Sequence, residues 1–172
     1  MPATYWMSMN NKLKRLINSF RYAFHGIGNC IRYERNFRIH MVVALYVIAA
    51  AVAMQVSRVE FCVLVLTIGN VLVMEMLNTA VEKTVDLSKT GINHTAKIAK
   101  DVAAGAVLVS AIISIVIGAA LLLRWDRLLT LLGMLTAGPF FWIALVISAV
   151  LAIWFIFAFP DLEERTVKKE RE

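Results

Sequence analysis

The chain has 172 residues, of which 60% are hydrophobic and only 17% charged, with a formal net charge of +6. A soluble domain of this size carries about 25% charged residues, and the deficit here is concentrated in long uncharged runs, which excludes an ordinary water-soluble domain. The basic excess sits beside those runs, so it points to anionic lipid head groups and membrane topology rather than to nucleic acid.

Residues 11–40 read as an amphipathic helix. Leu13, Leu16, Ile17 and Phe20 recur at helical spacing, with Lys12, Lys14, Arg15 and Arg21 between them. Such a stretch lies in a membrane interface. Gly26 and Gly28 are expected to break it, leaving a second helical piece from Cys30 to His40 that runs into the membrane. No apolar stretch before residue 41 is long enough for a signal peptide. Met7 and Met9 are alternative starts.

The first span is expected over Phe37–Val56, with a polar turn at Ser57–Glu60. The second runs from Phe61 to about Val81, followed by a polar segment, Glu82–Lys100. The third covers Val102–Leu123, and Arg124–Arg127 makes another short turn. Leu128–Phe159 is uncharged throughout and longer than the ~20 residues a span needs. Gly133, Gly138 and Pro139 divide it into an interfacial piece and a fourth span from Pro139 to Phe159. The fold class is thus all-α and membrane-integral. The organisation is a core at 1–123, an added membrane segment at 124–160 and a charged tail at 161–172. Basic residues concentrate before the first span, in the 82–100 segment and in the tail. The positive-inside rule therefore puts both termini and the 82–100 segment in the cytoplasm. Cys30 and Cys62 are in no metal or disulfide pattern.

The second span carries the informative residues. In VLVMEMLNTAVEKTVD, residues 71–86, the polar side chains Glu75, Asn78, Glu82 and Asp86 fall on one helix face. A carboxylic residue at mid-membrane depth costs roughly 2.5–3.5 kcal/mol, so it implies a partner or a task. Interhelical hydrogen bonding is the plain alternative, strongest for Asn78 alone. The row also has depth order, with Glu75 deepest and Glu82 and Asp86 nearest water. That suits chemistry between a lipid substrate and a water-borne one. Carboxylates near water can share Mg²⁺ with phosphates. Glu34 is the only acidic residue in the first 59, and it lies on the same side, as do Arg15, Tyr22, Arg32, Arg35, Arg38, His40 and the Lys100–Asp101 pair. A Walker loop, a GxSxG elbow, a kinase signature and a zinc spacing are all absent from the sequence.

Three motifs then match a known family. EMLNTAVEKTVD (Glu75–Asp86) looks like its E-x-LN-[ST]-A-[IV]-E-x-x-[VI]-D signature. AKIAKDVAAGAVL (Ala96–Leu108) is similar to its A-K-D segment, and RYERNFRIH (Arg32–His40) resembles its Gram-positive branch. On these residues the stretch Arg15–Leu123 resembles the small prokaryotic diacylglycerol kinase and undecaprenol kinase family. The resemblance implies a homotrimer with an N-terminal interfacial helix and three spans per protomer, which transfers the ATP γ-phosphate to a lipid hydroxyl. The lipid would be undecaprenol, with diacylglycerol as the alternative. By carry-over Glu75 is the general base and Asn78 its support, while Glu34 and Glu82 hold Mg²⁺ on the ATP phosphates. Arg15, Tyr22, Gly91, Ile92, Asn93, Lys100 and Asp101 join Glu34 and Glu82 around ATP. Arg15, Asn36, Arg38, Ala104 and Glu75 meet the lipid, and Asp86 supports the row. Residues 124–172 extend past the family pattern, and the fourth span they add is expected to pack on the periphery. Two other classes compete: a proton or cation pathway through the buried row, and a scaffold with a vestigial site.

Overall fold

The computed structural model describes residues 3–87, 94–136 and 138–158, so Gly91–Asn93 and the charged tail lie outside the described residues. Everything described is helix or short connection. The order is α1 (Ala3–Tyr33), α2 (Arg35–Ala53), α3 (Arg58–Leu87), α4 (His94–Leu122), α5 (Trp125–Leu135) and α6 (Pro139–Phe157). Four of these, α2, α3, α4 and α6, are long and apolar enough to cross a membrane.

The apolar stripe of α1 stays exposed, with Leu13, Leu16, Ile17 and Phe20 each more than half accessible. Among its described side chains the buried one is Cys30, near the C-terminal end. The helix passes through Gly26 and Gly28 without interruption, which corrects the expected break there. Glycine costs a helix interior only ~1 kcal/mol. Neither glycine sits where a side chain would collide, since a Cβ at either would meet nothing within 4 Å. The chain bends eight residues later than the first glycine, at Glu34, whose φ −109°, ψ 108° is extended. A side chain four residues further on holds the bend. Arg38 is fully buried, and its Nη1 donates to the carbonyls of Ile31 (3.3 Å) and Arg32 (3.1 Å). Those are among the last carbonyls of α1, which have no partner inside the helix. The piece expected at Cys30–His40 is therefore divided between the end of α1 and the start of α2.

At the far end of the bundle α2 closes in a Schellman turn. Gln55 takes a left-handed φ of 52°, and Val56 N–H reaches back to Ala51 O at 3.2 Å while Gln55 N–H reaches Val52 O at 3.1 Å. Ser57 and Glu60 then form a capping box for α3: Ser57 N–H donates to Glu60 Oε2 (2.8 Å) and Glu60 N–H to Ser57 Oγ (3.3 Å). Glu60 also receives Arg127 Nη2 on both oxygens, at 2.8 and 2.7 Å. Arg127 in turn donates to Leu121 O at the end of α4. The expected Arg124–Arg127 turn is shorter than foreseen, because α5 already begins at Trp125.

The helices α3 and α4 pack on each other along their length, with α2 on α3 and α6 on α2. Inside the α3–α4 seam Asn70 Nδ2 donates to Ser110 Oγ at 2.6 Å. The helix α6 starts at Pro139, as the sequence predicts, after Gly138 at φ 104°. It runs back beside α2, where Tyr46 Oη donates to Ser148 Oγ at 3.0 Å. At its end Ile156 O accepts Arg38 Nε at 2.9 Å. No residue of α6 is buried.

Candidate functional site

The polar row predicted on α3 stands where α1, α2, α3 and α4 meet at the near end. Glu75 is buried, 5% accessible in a helix whose neighbours are apolar. Its Oε1 lies 3.2 Å from His40 Nε2 on α2. An ionised carboxylate only accepts, so an imidazole beside it donates in the tautomer that carries its proton on Nε2. One turn on, Asn78 Nδ2 donates to Glu82 Oε1 at 3.0 Å. This fixes the amide orientation and turns Asn78 Oδ1 inward, buried and without a hydrogen-bond partner. A buried acceptor without a donor costs about 1–3 kcal/mol, a penalty that a bound donor or cation would relieve.

Further contacts complete the near end. Glu34, at the α1–α2 bend, lies 3.7 Å from Lys83 Nζ. Asp86 and Lys100 pair at 2.8 Å and tie α3 to α4. Asp101, Asn36 and Ala104 are exposed. Arg15 and Tyr22 are exposed on α1, and at 1.5 Å per residue they lie about 28 and 18 Å back along the helix from Glu34. Within one chain the structure therefore gathers Glu34, Glu75, Asn78, Glu82, Asp86 and Lys100 at one end and carries Arg15 and Tyr22 away along the interface helix. Arg38 has a structural task here, because its guanidinium is taken up by three backbone carbonyls.

Two cavities flank this cluster. One, of about 420 Å³, opens between α1 and α3 and is lined by Asn29, Tyr33, Glu34, Thr79 and Lys83. Cys30 also faces it. Burial pushes the Cys30 thiol up, and the Glu34 and Glu75 charges add to the shift, so the thiol stays protonated and unreactive. The other, of about 470 Å³, is a groove across α2, α3 and α4, lined almost wholly by apolar side chains such as Val43, Leu64, Val71 and Ile115. His40 is its charged-end rim. Glu75 lines neither cavity itself; Met76 and Thr79, next to it and one turn on, line the first, and its contact His40 lines the groove. Both volumes fall in the usual ligand range of ≈ 300–1,000 Å³.

Among the described residues no three His, Cys, Asp or Glu side chains gather as a metal cluster. A Mg²⁺ ion shared with phosphates needs only one or two carboxylates. Glu82, the inward Asn78 Oδ1 and Glu34 are hard oxygen donors of the right kind. The sequence puts His40 on the same side as the row but gives it no role of its own. Its one signal was position: it is the last titratable residue before the uncharged run from Met41 to Val56.

Comparison with known proteins places the helices α1–α4 in a family. Residues 21–122 match the family described as prokaryotic diacylglycerol kinase. The chain is 46% identical over 109 residues to a diacylglycerol kinase of Synechocystis, covering 63% of this chain and 62% of that protein, less than two thirds of its length. It is 44% identical over 108 residues to an undecaprenol kinase of Bacillus subtilis, covering 63% of this chain and 88% of that one. A diacylglycerol kinase of Pseudomonas aeruginosa is 32% identical over 111 residues. The helices α5 and α6 lie beyond the matched region.

Proposed function

The chain belongs to the prokaryotic diacylglycerol kinase family, and from that premise we propose that it transfers the γ-phosphoryl group of ATP to the hydroxyl of a membrane lipid, undecaprenol first and diacylglycerol second. The observation that carries the reading is the buried Glu75 carboxylate, in contact with His40 of the apolar groove and one turn from a second cavity that Glu34 and Lys83 help to line. A lipid chain lies in the groove and brings its hydroxyl past His40. Nucleotide enters from water past Glu34 and Lys83. The depth is right for such a meeting. The 30-residue α3 is about 45 Å long, longer than the ~30 Å hydrocarbon it crosses. Counted from Phe61, Glu75 is about 21 Å along the axis, inside the boundary, and Glu82 is about 10 Å further on, at the water. Both termini and this end face the cytoplasm, where ATP is.

In the reaction the lipid oxygen attacks the γ-phosphorus, the bond to the β–γ bridging oxygen breaks, and ADP leaves. Glu75 accepts the hydroxyl proton as the new P–O bond forms. Asn78 presents its inward Oδ1 and holds Glu82 through its Nδ2. Lys100, with Asp101, lies against phosphate charge on the α4 side, and Asp86 holds Lys100 in place. Glu34 and Glu82 would hold Mg²⁺, which supplies charge neutralisation on the phosphates. Phosphoryl transfer needs little else from a protein beyond position and charge. Arg15 and Tyr22 of α1, with Gly91, Ile92 and Asn93, complete the nucleotide site in a homotrimer. Asn36 and Ala104 flank the lipid. The RYERNFRIH stretch and the fuller coverage of the Bacillus undecaprenol kinase favour undecaprenol. A proton or cation pathway has no observation in its favour.

The test is phosphorylation by purified protein in mixed micelles, with undecaprenol and diacylglycerol offered separately. Transfer from ATP to either supports the kinase reading and their ratio decides the lipid; no transfer to either overturns it. The groove makes a second prediction. Gly118 lines it, and a Cβ there meets nothing within 4 Å. Gly118→Leu should fill the groove, raise the lipid KM about tenfold, in line with the 1–3 kcal/mol of a filled or emptied apolar subsite, and leave the ATP KM unchanged. An unchanged lipid KM would put the chain elsewhere.

A further inference from the structure

We propose that His40 is a positioning residue for the Glu75 carboxylate, holding Oε1 through Nε2–H so that Oε2 is turned to the lipid hydroxyl. The inference deepens the kinase reading and rests on it.

The two residues are on different helices, α2 and α3, and the 3.2 Å contact is made across their packing seam. Their exposure differs in a useful way. The Glu75 side chain is 6% accessible and that of His40 27%. The carboxylate is thus enclosed, while the imidazole forms part of the wall of the apolar groove. A free glutamate side chain has three rotatable bonds and can swing its carboxylate by several ångströms. In a largely apolar cage, few groups can stop it. Thr79 does not, because its Oγ1 is spent on Glu75 O at 3.1 Å. Asn78 does not, because its Nδ2 is spent on Glu82. Of the charged side chains at this end, Lys83 is with Glu34, Lys100 with Asp86 and Arg38 on backbone carbonyls. The contact that fixes Oε1 is therefore the one from His40. The imidazole edge lies along the path a lipid hydroxyl must take from groove to base. The same residue then sets both the direction of the base and the place where the hydroxyl stops. No proton needs to pass through His40: the hydroxyl proton goes to Oε2 while the Oε1···H–Nε2 bond persists.

The two amide variants His40→Gln and His40→Asn, which differ by one methylene, test this. A glutamine places its amide nitrogen about where Nε2 stands, while an asparagine is too short to reach Oε1. Misplacing a reacting group by about 1 Å can cost on the order of 10²-fold. His40→Asn should therefore lower kcat by on the order of 10²-fold, with the ATP KM unchanged, and His40→Gln should recover at least roughly tenfold of that loss. The two variants are alike in polarity and packing, so a fold defect would strike both. Equal rates for the two, whether both slow or both near the parent, would overturn the proposal. The parent protein in the same micelles separates this outcome from failure of the kinase reading: a parent that phosphorylates neither lipid removes the reaction itself.

Discussion

Glu75→Gln should lower turnover by roughly 10²–10⁴-fold, the usual contribution of a positioned proton acceptor, with the fold intact. The substitution is nearly isosteric. The amide oxygen can still accept His40 Nε2–H, so the α2–α3 contact at 3.2 Å survives, and the buried site of 5% accessibility loses a charge rather than gaining one. Melting should therefore hold or improve. The amide cannot take the hydroxyl proton. Because the transition state of phosphoryl transfer is loose, the oxygen nucleophile is only partly formed when the barrier is crossed, and the loss should fall in the lower half of the range. Glu75→Asp gives a check from the other side. It keeps the base but withdraws it by one methylene, and should cost on the order of 10²-fold. Initial rates of lipid phosphorylation, with elution volume and melting midpoint on the same samples, decide the matter. A Glu75→Gln protein keeping more than a tenth of the parent rate would remove Glu75 as the base.

Arg38→Met should act on stability, and strongly. The side chain is fully buried, and the guanidinium holds the carbonyls of Ile31, Arg32 and Ile156. Methionine fills much of the volume but donates nothing. Each acceptor left buried without a donor costs ~1–3 kcal/mol, so three carbonyls together give a loss of several kcal/mol unless water enters. The α1–α2 bend and the end of α6 should loosen together. Arg38→Lys should recover only part, since one ammonium cannot span two helix ends. Melting in detergent measures the loss. The family resemblance assigns Arg38 to lipid contact, and that role gives a different result: a raised lipid KM with an unchanged melting midpoint.

Those two residues show how much could be read before any coordinates. The spans were legible because uncharged runs of about 20 residues have few other homes. The start of α6 was legible because Pro139 follows a glycine. The Glu75–Asn78–Glu82 row was legible from its 3.6-residue spacing. What escaped was set by partners far along the chain. The bend falls at Glu34, not at the glycines, because Arg38 collects the carbonyls at the end of α1, and one of its three partners is 118 residues away. The Arg127–Glu60 pair closes over 67 residues, and His40 meets Glu75 across a helix seam that no periodicity reveals. Local pattern identifies a helix and its faces. It does not say which side chain of one helix meets which of another.

The return of α6 to the near end changes the parity of the chain. A polypeptide that stopped at Leu122 would finish on the face of the bilayer opposite the bend at Glu34. With α5 turned over at the far end and α6 brought back until Ile156 meets Arg38, the chain at residue 158 emerges on the same face as the carboxylates. On the proposed orientation a reporter, affinity tag or tether appended after that point would be reached from the compartment that holds the nucleotide, and a membrane-impermeant reagent added to sealed vesicles would find both it and the carboxylate end, or neither.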